Sequence, residues 1–123
     1  MTEVMTFKIE QKFNGVDDLY NWLRKNNDLI EEFTGLQIQK PLKLKNFCIT
    51  AKEKITKRQI VIFASERDFP ESLGGLIVFA GAYDADIVIF LLQKTSKNYL
   101  MPMNWLQKIC AEDYQFFVGQ VEF

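Results

Sequence analysis

The spacing of apolar residues changes character several times along the chain. Val16, Leu19, Tyr20 and Leu23, then Leu29, Ile30 and Phe33, recur at helical intervals and predict an α-helix that Asn14 or Asp17 can cap and Gly35 ends. Asp17 and Asp18 suit its positive end, and Asn26-Asn27 is expected to split or loosen it. After Gly35 the period falls to two. Leu36 and Ile38 alternate with Gln37 and Gln39, Leu42 and Leu44 with Lys43 and Lys45, and Phe47-Cys48-Ile49 follows. A charged turn, Lys52 to Arg58, leads into Ile60-Val61-Ile62-Phe63-Ala64, which is apolar on both faces and reads as a central strand covered on both sides.

Pro70 suits the first turn of a second helix, whose inner stripe is expected to be Leu73, Leu76, Ile77 and Ala80. Gly74, Gly75 and Gly81 each lower its helix propensity by about 1 kcal/mol relative to Ala, so close packing is expected to require them. Ile87 to Leu92 is a second central strand, and Met103 to Ile109 a third helix with Pro102 at its start. Phe116-Phe117-Val118, Val121 and Phe123 form a last strand, expected to break at Gly119. The first nine residues are either a tail or a short edge strand. The order is αβββαβαβ, an α+β (α/β) mixed sheet flanked by helices, with a crossover helix joining two parallel central strands. No repeat or linker divides the 123 residues, so residues 1–123 are expected to be a single domain.

Composition narrows the chemistry. The chain has no histidine, which excludes a Ser-His-Asp triad, a Cys-His dyad and histidine metal sites. Cys48 and Cys110 lie far apart among apolar residues and read as small buried thiols. No apolar run is long enough for a membrane span, and MTEVMTFKIE lacks the apolar core of a signal peptide, so a cytoplasmic protein without membrane partners is expected. Net charge is −1, but it is uneven: from Gln37 to Gln59 seven basic residues stand against one acid, so that segment carries +6 and the remainder −7. Lys43, Lys45, Lys52, Lys54, Lys57 and Arg58 are therefore the candidate nucleic-acid contacts, with Lys43 and Lys45 sharing one exposed face. The same lysines could instead serve to prevent edge-to-edge pairing of the hairpin. Phe7, Phe13, Trp22, Tyr99 and Trp105 are candidates for core or interface, and Trp105, at helical spacing with Leu106 and Ile109, is expected to pack inward.

Three stretches carry a resemblance. Leu73-Gly74-Gly75-Leu76-Ile77-Val78-Phe79-Ala80-Gly81-Ala82-Tyr83-Asp84-Ala85 and the strand after it, Asn104-Trp105-Leu106-Gln107 with Asp113 to Phe123, and Asp18-Leu19-Tyr20-Asn21-Trp22-Leu23 are similar to segments of the PD-(D/E)XK nuclease superfamily, in particular its small bacterial restriction-endonuclease-like members. The resemblance covers nearly the whole chain. It implies a restriction-endonuclease-like fold, and in that family an Asp and a Glu on neighbouring strands hold Mg²⁺, with a Lys or Gln two residues on orienting the attacking water. Alternate residues of a strand share a face, which explains that spacing. Here the metal Asp falls on Cys48, the metal Glu on Phe63 and the orienting residue on Ser65. A shift of one residue puts Ile62 and Ala64 there instead, which are no better suited.

The resemblance therefore implies a nuclease scaffold that has lost the reaction: no enzyme, no metal and no cofactor, but a binding domain in a DNA-processing or defence assembly, contacting a protein partner, a second copy of itself or a nucleic acid. One alternative is a divergent Mg²⁺-dependent endonuclease whose site has migrated to Glu66 and Asp68 with Asp17 or Asp18, although Glu66-Arg67-Asp68 also reads as a solvated loop before a helix. Another is a structural homodimer joined through Phe and Met residues.

Overall fold

The computed structural model describes residues 5–9, 13–65, 71–92, 105–106, 108–109 and 114–122. The elements are β1 (Met5–Lys8), α1 (Val16–Thr34), β2 (Ile38–Leu44), β3 (Ile49–Glu53), β4 (Gln59–Ser65), α2 (Glu71–Ala82), β5 (Ile87–Leu92) and β6 (Gln115–Glu122). Residues 105–106 and 108–109 are helical, within the span expected for a third helix. The expected order is met, and of the two readings of the first nine residues the short edge strand holds, as β1.

The strands form one six-stranded sheet in the order β1-β6-β5-β4-β3-β2. The four strands β1, β6, β5 and β4 are mutually parallel, and β3 runs antiparallel to both β4 and β2. Every residue of β5 is buried, as expected of a central strand covered on both faces. Two apolar clusters lie on opposite faces. Leu19, Leu23 and Ile30 of α1 pack with Ile49, Ile60, Ile62, Ile87, Ile89 and Leu91. Leu76 of α2 packs with Cys48, Val61, Phe63, Val88, Phe90 and Val118, and Leu106 leans against this second cluster. At about 1.5 Å per residue α1 is roughly 28 Å long, enough to cross a six-stranded sheet about 24 Å wide.

Local details depart from the sequence pattern in physically informative ways. α1 is capped by Gly15 without a side-chain cap, neither Asn14 nor Asp17 taking that role; the Asn14 N–H instead donates to Asp18 Oδ2 at 2.9 Å. Gly35 ends the helix in the left-handed conformation (φ 73°), its N–H donating to the Glu31 carbonyl at 2.8 Å. The expected break falls at Asn26 (φ −125°, ψ 24°), whose side-chain amide donates to the Trp22 carbonyl at 3.0 Å. Buried Asn27 donates to Glu31 Oε1 at 2.7 Å, and Glu31 Oε2 accepts from the Ile38 N–H at 3.3 Å, tying the far half of α1 to β2.

In β2 the simple alternation fails. Its register shifts between Gln39 and Lys43, around Pro41, which has no N–H for the ladder and is tolerated on an edge strand. Ile38 and Leu42 are buried but Leu44 is exposed. β6 runs unbroken through Gly119. A Cβ there would lie 2.9 Å from both Leu91 Cδ2 and Phe7 Cε2, so the glycine makes room for two side chains and does not end the strand. The helical glycines differ: around Gly74 and Gly81 a Cβ meets nothing within 4 Å, and at Gly75 it meets Phe63 at an ordinary 3.5 Å, so packing does not demand them. Ile77 points outward, because the inward side of α2 is buried Leu76 with half-buried Phe79 and Ala80, and Ile77 lies about 100° round the helix from Leu76. Trp105 is exposed, contrary to the core position expected of it, and so is Ile109; Leu106 alone of that group leans inward.

Candidate nucleic-acid interface

β3 and β4 bring together Cys48 and Phe63, the two positions that the resemblance equates with metal-binding acids. Ile49 pairs with Ile62, so Cys48, one residue before β3, lies level with Phe63. Both belong to the cluster beneath α2, Cys48 fully buried and Phe63 nearly so. Burial pushes the Cys48 thiol above its ordinary range, and the weaker pull of the Lys45 charge works in the opposite direction. A protonated, buried thiol is neither a nucleophile nor a metal ligand. Ser65 ends β4 opposite Leu92. Asp17 is exposed in the first turn of α1, whose buried side packs into the cluster on the other face of the sheet. Glu66, Asp68 and Cys110 lie outside the described residues. Among the described residues no group of three or more Cys, Asp or Glu side chains could hold a metal ion.

Phe63 is the middle of a column of rings. Its centroid is 5.7 Å from that of Phe90 in the core and 5.5 Å from that of Phe79 on α2. Phe79 in turn is stacked on Phe47 at 5.4 Å, with the rings 17° from parallel. Exposure rises along the column, from 0% at Phe90 and 8% at Phe63 to 65% at Phe47. Phe47 is carried on the β2–β3 turn, which is closed by the Lys45 N–H donating to the Cys48 carbonyl at 2.9 Å. Since β3 starts beside the C-terminal half of β4, this turn stands at the end of the sheet where the parallel strands finish, the end at which open α/β sheets tend to bind ligands.

The basic residues divide between the two ends of β3: Lys43 and Lys45 lie by the β2–β3 turn with Phe47, and Lys52, Lys54, Lys57 and Arg58 by the β3–β4 turn at the opposite end. Lys43 pairs with Thr50 and Gln39 with Lys52, so Lys43 and Lys52 project on the face that carries Cys48 and Phe63. Lys45 joins them there, its ammonium 5.7 Å from the centre of the ring of Tyr83, the residue after α2. Lys57, in the left-handed conformation (φ 62°), donates from Nζ to Gln39 Oε1 at 2.7 Å. Lys43, Lys52, Lys54 and Lys57 are exposed and Lys45 half-buried. Arg58 is engaged: it pairs with Glu53 at 3.1 Å, and the Thr56 hydroxyl, the larger influence, together with Arg58 holds the Glu53 carboxyl below its ordinary range. The one acid in the basic segment is thus satisfied internally by Thr56 and Arg58.

Phe47, Phe79 and Tyr83 carry no signal of this kind in the sequence. The rings of the column are far apart along the chain, and the β3–β4 and β4–β5 registers together with the packing of α2 bring them together.

No protein-family model, curated protein or solved structure matches this chain. Among the described residues no helix is long and apolar enough to cross a membrane.

Proposed function

We propose that this chain is a non-catalytic binding domain of PD-(D/E)XK nuclease-like descent, acting in the cytoplasm as a nucleic-acid-binding subunit of a DNA-processing or defence assembly. The observation that carries the proposal is that Cys48 and Phe63 lie level on neighbouring strands inside one buried apolar cluster, at the positions where the resemblance requires two carboxylates. A phenyl ring and a protonated thiol offer no oxygen to a hard cation, and the ring fills the space an ion would need. What remains at this end of the sheet is a lysine-bearing hairpin, and lysines that neutralise phosphates gain affinity by releasing counterions.

The test combines cleavage and binding. Incubated with Mg²⁺ or Mn²⁺, the protein is expected to leave single- and double-stranded DNA intact. It is expected to shift DNA in gels at low salt, progressively less as salt rises, and Lys43→Glu with Lys45→Glu should abolish the shift. Cleavage that disappears in Glu66→Ala would replace this reading with the migrated-site nuclease. Binding indifferent to the two lysine reversals would remove the basic hairpin from the account.

A further inference from the structure

The geometry points to a finer assignment at the same site: Phe47 is a stacking platform for an unpaired base, so the ligand of this face is single-stranded nucleic acid in preference to duplex. This rests on the nucleic-acid reading above and adds to it the form of the ligand and the residue that selects it.

A phenylalanine 65% exposed on a turn forgoes much of the roughly 1.5–3 kcal/mol that burying such a side chain yields. Its ring nevertheless has a defined position, since it lies nearly parallel to Phe79, and Phe79 rests on Phe63 and Phe90. One side of the Phe47 ring is therefore supported from within the fold, and the exposure of the residue leaves the other side open. A rigid, open aromatic surface suits the π-face of any base, and bases in a duplex are not free to use it.

The charge beside the ring completes the argument. Tyr83, the residue after α2, lies four residues on from Phe79 and donates its N–H to the Phe79 carbonyl at 3.1 Å, so the two stand on one side of the helix end. The hairpin meets both, with Phe47 on Phe79 and Lys45 over Tyr83. The open ring and an ammonium are thus held side by side on one surface, and Lys43 extends the positive charge along the same face. A nucleotide needs this combination, a flat apolar contact for the base and a cation for the adjoining phosphate.

The experiment measures fluorescence anisotropy with a labelled oligo(dT) of about twelve nucleotides and with a labelled duplex of similar length, across a salt series. The full chain is expected to prefer the single strand. Phe47→Ala should weaken single-strand binding about ten- to a hundredfold while changing duplex binding less than about twofold, and Phe47→Trp should restore it. Lys43→Glu with Lys45→Glu should weaken both ligands and reduce the salt slope for the single strand by about 0.7 per lysine. Binding without single-strand preference, or binding unchanged by Phe47→Ala, overturns the platform and leaves the nucleic-acid reading standing. No binding to either ligand overturns both. A dimer in sedimentation velocity that Phe47→Ala dissociates, without nucleic-acid binding, would make this face a contact between copies of the chain.

Discussion

The two faces of the sheet are both rich in phenylalanine, and they use it differently. Beneath α1, Phe7 meets Trp22 and Phe33, Phe13 meets Trp22, and Phe33 meets Phe117, all edge to face with interplanar angles from 60° to 74°. Edges pointing into ring faces close on themselves, and Phe7 and Phe13 are buried. Beneath α2 the rings tilt by 17° to 41° and run in file outward to Phe47. The first arrangement seals a core, whereas the second links the core to an open surface. Residue type alone does not decide whether an aromatic is structural; the direction in which its contacts lead does.

Truncating rings tests that contrast most severely. Phe90→Ala removes the buried base of the column and should cost about 3–5 kcal/mol in urea denaturation, in line with other large-to-small core changes. Phe47→Ala at the outer end should cost less than about 1 kcal/mol, close to the value of one exposed stacked pair. Similar losses at the two positions would mean that Phe47 is as structural as Phe90, and the distinction between the faces would collapse.

Gly119→Ala probes the sealed face from the sheet side. With Leu91 and Phe7 each 2.9 Å from the new methyl, overpacking should destabilise by about 1–3 kcal/mol, read as a lowered Tm. On the open face the opposite sign is expected. Gly74→Ala meets nothing within 4 Å, so the helix should gain about 0.5–1 kcal/mol from the reduced freedom of the unfolded chain.

The smallest effect concerns the hairpin's own acid. Because Thr56 and Arg58 depress the folded-state pKa of Glu53, its contribution is present above the unfolded glutamate value and fades as pH falls through the folded one. Glu53→Gln should therefore cost about 0.5–1 kcal/mol at pH 7, a modest sum because Arg58 is 31% exposed. The variant and the parent chain should converge in denaturant titrations under strongly acidic conditions. A gap that persisted or widened in acid would mean that the carboxylate is not the stabilising group.

Much of the architecture could be read along the chain because the signals were local. The apolar runs of β4 and β5, the helical spacing of α1, the stop at Gly35 and the distortion at Asn26 are each set by residues close in sequence. What escaped was non-local. At the first nine residues the choice between a tail and an edge strand stayed open, because the edge strand β1 and its buried Phe7 depend on β6 lying beside them. The outward turn of Trp105 and Ile77 depends on the sheet area left after Leu76, Phe79, Tyr83 and Leu106 have taken their places. Candidate site residues divide in the same way. The lysines of the hairpin were legible as a run of charge, and Cys48 and Phe63 through the resemblance. The ring column was not, since it exists only in the register of three strands and one helix.

Under the proposed nuclease-like descent, a phenyl ring and a thiol occupy the place where two carboxylates would grip a divalent cation. Crystals soaked in Mn²⁺ and measured at the manganese absorption edge test it directly. The account predicts no anomalous peak between β3 and β4, with the Phe63 ring ordered between Phe79 and Phe90 beside the Cys48 sulfur. A manganese ion held there by side-chain oxygens, or a chain path that separates Cys48 from Phe63, would contradict it.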